Sequence, residues 1–192
     1  MKAVRLIFSL FLVLSLTGCS MLTEYRESEQ ITLVSSLGFD KADGILLISA
    51  ETVAQNENDD PLVIASYGKT AEECINNLKN KAGVSLLFSH CAVLAIGESL
   101  EKKDISEIFL FLSAFYEFPL SCYTVACRDA HALLNSKGLS GGQTGYAIMR
   151  LLKEKNTDSR LFTLLRNNSV KLPLFSAESG NFIYEDALWT KE

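Results

Sequence analysis

Several stretches of this chain carry residue types that can do chemistry. Leu139-Ser140-Gly141-Gly142-Gln143 spells a loop that, in some ATPases, presents backbone N–H groups to a nucleotide held on a partner's phosphate loop. The matching phosphate loop needs Gly-x4-Gly-Lys-Ser/Thr. Gly68-Lys69-Thr70 supplies its end, but Val63 stands where the first Gly belongs, so the expected reading of both is a loop leading into a helix. A hydrolase needs a Ser or Cys nucleophile beside a base. The two imidazoles are His90, expected at the start of a strand, and His131, expected in a short helix, and there is no Gly-x-Ser-x-Gly elbow. Cys122, Cys127 and His131 raise zinc, but a tetrahedral site wants closer Cys pairs and a fourth ligand. Asn56-Glu57-Asn58-Asp59-Asp60 lacks the loop Gly and distal Glu of a calcium-binding EF-hand and reads as a solvated loop. These readings imply no catalytic residue, no metal and no cofactor.

The remaining thiol is different. Leu16-Thr17-Gly18-Cys19 closes an opening segment with a cationic start, Lys2 and Arg5, and an apolar-to-small run from Leu6 to Leu16. That run is too short to span a bilayer, which takes roughly 20 apolar residues, and it has the length and flanks of a secretory signal. Leu-Thr-Gly-Cys looks like the lipobox of bacterial lipoproteins, in which the Cys thiol is joined to diacylglycerol and the chain is cut just before it. Residues 1–18 are thus expected to be a lipoprotein signal peptide, Cys19 the lipidation site, and the body to hang from a membrane outside the cytoplasm. Two acyl chains, at about 0.8 kcal/mol per buried methylene, hold firmly where one holds marginally.

Without residues 1–18 the chain has 16 basic and 23 acidic residues, a net charge of −7. Such a body has no electrostatic case for nucleic acid and no basic cluster to grip anionic lipid. Its length fits one domain, and nearly half of the chain is apolar, enough to bury a core. Of the four other cysteines, Cys122 and Cys127 lie on opposite faces of one strand-like run and cannot bridge each other. With Cys74 and Cys91 they are expected to be free, buried thiols.

The elements that must position these residues follow in order. Residues 19–29 are a polar tether. Ile31–Leu37 alternates, with Ile31, Leu33 and Leu37 on one face and Thr32 and Ser36 on the other. Asp40-Lys41-Ala42-Asp43-Gly44 is turn chemistry, and Ile45–Val53 is a second, central strand completing a hairpin. Leu62–Ser66 is a third. Thr70 with Glu73 predicts a capping box, and Ala71, Cys74, Ile75, Leu78 and Ala82 form the buried stripe of the helix behind it. His90–Ile96 is a strand. A second helix opens at Asp104 with Ile105, Ile108, Phe109, Leu112, Phe115 and Tyr116 as its stripe. Leu110, Phe111 and Ala114 make this helix apolar nearly all round, as core or as a patch for a membrane-embedded partner. Tyr123–Cys127 is a strand, and Asp129 caps a short helix through Leu134. Helices around Ile148-Leu151-Leu152 and Leu161-Leu164-Leu165, the latter capped near Asp158, precede a closing hairpin of Val170–Phe175 and Phe182–Tyr184. Strands that precede, alternate with and follow helices predict an α/β domain over 30–192 with a mixed sheet.

The ordered set resembles the N-terminal domain of the spore germinant-receptor C-subunit lipoproteins, the GerC-like family. It runs from the lipobox to Leu37-Gly38-Phe39-Asp40-Lys41, Tyr67-Gly68-Lys69-Thr70-Ala71-Glu72-Glu73 and Ser89-His90-Cys91-Ala92-Val93-Leu94-Ala95-Ile96-Gly97-Glu98. Val125-Ala126-Cys127-Arg128-Asp129-Ala130 and Leu172-Pro173-Leu174-Phe175 complete it. Ser20-Met21 stands where that family usually has Trp-Asp, and members usually continue into further domains. The resemblance implies a non-enzymatic accessory subunit in spore germination, held at the spore inner membrane or cell membrane beside integral-membrane receptor subunits. A lipoprotein hydrolase with a polar pocket around His90 or His131 is the rival expectation. A small solute-binding lipoprotein is a third, disfavoured by a body too small for two lobes.

Overall fold

In the computed structural model, residues 31–54, 61–136, 142–167, 171–178 and 180–190 are described, the side chains of 167 and 186–189 excepted. The chain opens with the expected hairpin, β1 (Ile31–Ala42) and β2 (Ile45–Thr52), paired antiparallel. Only two residues close it. Asp43 at φ 52° and Gly44 at φ 79° supply the two left-handed positions that a tight hairpin turn of type I′ requires. Asp40 and Lys41, expected in the turn, belong to β1 instead and are paired with Leu47 and Leu46.

Strand β3 (Val63–Gly68) lies antiparallel on β2. Strand β5 (Val93–Gly97) lies parallel on the other side of β1, followed by β6 (Tyr123–Cys127) and β7 (Lys171–Glu178), also parallel. β8 (Asn181–Thr190) returns antiparallel and runs six residues beyond the Tyr184 at which the sequence pattern places its end. The sheet order is β3-β2-β1-β5-β6-β7-β8, with the short β4 (Ser85–Leu87) parallel to the first residues of β1. The mixed sheet of the α/β expectation is thus observed, with β4 the strand that the sequence does not announce.

Alternation along the central strands builds two cores. Leu37, Phe39, Ile48, Leu94, Ile96 and Ala126 face α1 (Ala71–Ala82), α2 (Lys102–Ala114) and α5 (Leu161–Asn167). Val93, Ala95, Tyr123, Val125 and Cys127 face α3 (Ala130–Leu134) and α4 (Thr144–Glu154). Thr70 caps α1 as expected, accepting the Glu73 N–H at 3.2 Å, while the Glu73 carboxylate reaches one residue further back to the Lys69 N–H. Helix α2 begins two residues earlier than expected. Glu101 is its cap, and Asp104 is the third helical residue, whose carboxylate accepts the Glu101 N–H at 2.9 Å. No helix among the described residues is long and apolar enough to cross a membrane.

Candidate functional site

Two buried carboxylates organise the second face of the sheet, and both come from the first hairpin. Asp40 receives the backbone N–H groups of Ala130 and His131, each at 3.0 Å, and so holds the start of α3. Desolvation pushes its carboxyl above the usual range, against the two N–H bonds that pull it down. The arrangement needs Gly97 on the neighbouring strand, where a Cβ would fall 1.9 Å from Asp40 Oδ1. Gly38 is required for a similar reason, since a Cβ there would meet the Ala130 Cβ at 2.9 Å. Lys41 turns outward and makes a two-oxygen ion pair with Asp104 at 2.8 and 2.9 Å. Leu37 and Phe39 are core. Every residue of Leu37-Gly38-Phe39-Asp40-Lys41 is therefore committed to holding the sheet to its helices.

Glu51 does the same for α4. One carboxylate oxygen accepts the Thr144 N–H at 2.6 Å; the other accepts the Gly145 N–H at 3.0 Å and the hydroxyls of Ser35 and Ser36 at 2.8 Å. Both serines reach it because β1 bulges between Val34 and Ser36. Ser36, on the face of β1 that alternation marks as polar, is buried against the start of α4. The loop Leu139-Ser140-Gly141 lies outside the described residues, but the N–H groups that follow its Gln143 are spent on Glu51 and cannot serve a nucleotide. Gly68 likewise makes room for the first turn of α1, with Cys74 N 2.7 Å from where its Cβ would be.

The imidazoles divide. His90 is exposed in a turn ahead of β5, rather than in the strand. His131 Nδ1 lies 2.8 Å from Ser49 Oγ, and its Nε2 lies 3.3 Å from Asn135 Nδ2. A Ser–His pair within hydrogen-bond reach is the first requirement of an activated nucleophile. The separation of 82 residues between Ser49 and His131 hides it from sequence reading. Two features argue against acyl chemistry. Ser49 is wholly buried, in β2 between Gly38 and Ala65. The nearby Asp40 carboxylate is occupied by backbone N–H groups, so the far ring nitrogen meets an amide.

Cys74, Cys91, Cys122 and Cys127 are free and buried, as expected. Burial pushes the thiols up, Cys74 to about 11 and Cys122 to about 12, and it raises Cys91 and Cys127 well above the ordinary thiol value, so none is a thiolate at neutral pH. Cys122 belongs to one core layer and Cys127 to the other, on opposite faces of the sheet, which separates two of the three residues that raise zinc. Cys19 lies outside the described residues.

Among the described residues, the outer side of the C-terminal half of α2 is one of the places where apolar side chains reach solvent. Phe111 is half-buried and stacks on Phe115 at 5.7 Å, Leu110 is exposed, and Tyr116 beyond the helix end is 91 % exposed. Phe115 packs edge-on against Phe88 at 5.6 Å, and the Lys79 ammonium lies over both rings while pairing with Glu117 at 3.1 Å. The expected stripe holds through Leu112 and, past the helix end, Phe115, but Tyr116 points away from the core.

A protein-family model described as the spore germination protein N-terminal domain matches residues 24–168. No curated protein and no solved structure matches the chain.

Proposed function

This chain belongs to the spore germination protein N-terminal domain family, and from that membership we propose that it is the lipid-anchored accessory subunit of a membrane germinant receptor. Cys19 carries the lipid and residues 1–18 are removed. The body stands outside the cytoplasm and supports integral-membrane subunits that sense small nutrients, without catalysing a reaction. The family match over residues 24–168 carries this reading. The commitment of Asp40, Glu51 and the motif glycines to scaffold contacts supports it, because those residues are not left free for a substrate. Deleting the gene is expected to slow or abolish germinant-triggered loss of spore optical density, with recovery on reintroducing the full chain. Normal germination without it would count against the reading.

The Ser49–His131 contact favours a second reading, a lipoprotein hydrolase. Ser49→Ala separates the two. The accessory subunit keeps full germination with this variant folded, whereas a hydrolase loses it.

A further inference from the structure

The first residues of β1 mark one end of the body as the point where the preceding segment joins it. Ile31, where the segment carrying Cys19 joins the sheet, pairs with Ser85, and Leu33 pairs with Leu87. Helix α2 runs from the far end of β1, where Asp104 holds Lys41, back to this end, where Phe115 packs on Phe88. Leu62 is here too: its carbonyl accepts the Thr52 N–H, next to the bond from Val53 N–H to Leu33. So is Phe162, whose N–H goes to Leu120 just ahead of β6. Four large apolar or aromatic side chains are therefore exposed around the point of attachment: Tyr116, Leu62 (61 %), Phe162 (44 %) and Leu87 (37 %).

The far end differs in chemistry. It carries the Asp43-Gly44 turn, Glu98 and the Glu101-Lys102-Lys103-Asp104 start of α2, with Tyr67, Ile45 and Ile183 as its exposed large apolar side chains among the described residues. Exposure alone does not choose between the ends; reach does. From Cys19 to Ile31 is about 12 residue steps, which span at most about 40 Å fully extended. A body of this length is roughly 40 Å across. Laying the far end on the bilayer would need the whole connection stretched along the body, whereas the near end reaches it with slack.

We propose that the β1-entry end, through Tyr116, Leu62, Leu87 and Phe162, rests in the headgroup region of a zwitterionic phospholipid bilayer, adding a shallow apolar contact to the lipid on Cys19. Tyr suits that layer because its ring is apolar and its hydroxyl stays hydrated. The net charge of −7 sets the preference for zwitterionic over anionic headgroups. The inference rests on the lipid-anchored reading above.

The test uses the full lipidated chain in phosphatidylcholine vesicles that carry a quencher on their headgroups. Tyr116→Cys and, separately, Tyr67→Cys are labelled with an environment-sensitive fluorophore, the four native thiols being buried and unreactive. Flotation with the vesicles is scored first. The expected result is quenching of at least about twofold at position 116 and little at 67, weakening as anionic lipid is added. Flotation with equal or no quenching at the two positions overturns the orientation and leaves the anchor standing. Quenching at 116 only in native membranes, never in pure lipid, overturns it in favour of a protein partner. Failure to float overturns the anchor and this inference together.

Discussion

At the scale of single residues, the two carboxylates decide how the second face is held. Glu51→Ala strands two backbone N–H groups and the Ser36 hydroxyl in a closed core, while Ser35 keeps its bond to the Glu51 carbonyl, and is expected to cost about 3–5 kcal/mol of unfolding free energy in a denaturant titration. Gly145→Ala places a Cβ 1.7 Å from Ser36 Oγ and is expected to cost about 1–3 kcal/mol in the same assay. Asp40 adds a pH signature. Its folded value is raised, chiefly by desolvation, so its contribution is whole below the unfolded value of about 3.9 and declines as pH rises through the raised one. For Asp104, desolvation pushes up, but the Lys41 ammonium and the Glu101 N–H outweigh it and hold the carboxyl low; its contribution is present above the unfolded value and declines as pH falls. Asp40→Asn should therefore flatten the loss of stability from about pH 4 upward and leave the acid-side loss in place. An unchanged slope above pH 4 would show that Asp40 is not the group responsible. Neither carboxylate is legible as a clamp in the sequence. Asp40 sits beside turn residues and reads as one of them, while its partner N–H at Ala130 lies 90 positions away.

At the scale of elements, what is local is what the sequence shows. The Thr70 cap, the α1 stripe, the strand at Tyr123–Cys127 and the Asp129 cap are each set within a few residues, and all are found. β4 is missed because Ser85-Leu86-Leu87 is too short to show a period and is defined only by its pairing with β1. The burial of Ser36 is not legible in the alternation of β1, because it depends on Glu51 of the next strand and on the start of α4. Helix α2 resolves the choice between core and patch residue by residue rather than as a whole. Leu110→Glu, at an exposed site, is expected to change stability by less than about 0.5 kcal/mol. Phe111→Glu removes a half-buried ring stacked on Phe115 and is expected to cost about 1–3 kcal/mol while the domain stays folded in buffer. Equal effects of the two substitutions on the unfolding midpoint would contradict this division.

At the scale of the whole molecule, the mixed sheet with helices on both faces puts the first hairpin at its organising centre. β1 pairs with β2, β4 and β5, and its Asp40 and the Glu51 of β2 hold α3 and α4. The family motifs mark this framework, so they identify the fold while leaving the surface to carry the function. That is why a chain with no legible catalytic constellation can still be placed. The account centres on a body that works only when held at a membrane by Cys19. Its most direct test is germinant-triggered loss of optical density in spores lacking the native gene and carrying either the full chain or its Cys19→Ala form, with the body's abundance and folding matched by immunoblot and limited proteolysis. The account predicts that the full chain restores germination and takes up labelled fatty acid, while Cys19→Ala does neither. Full germination from an equally abundant, unlabelled Cys19→Ala protein would contradict it.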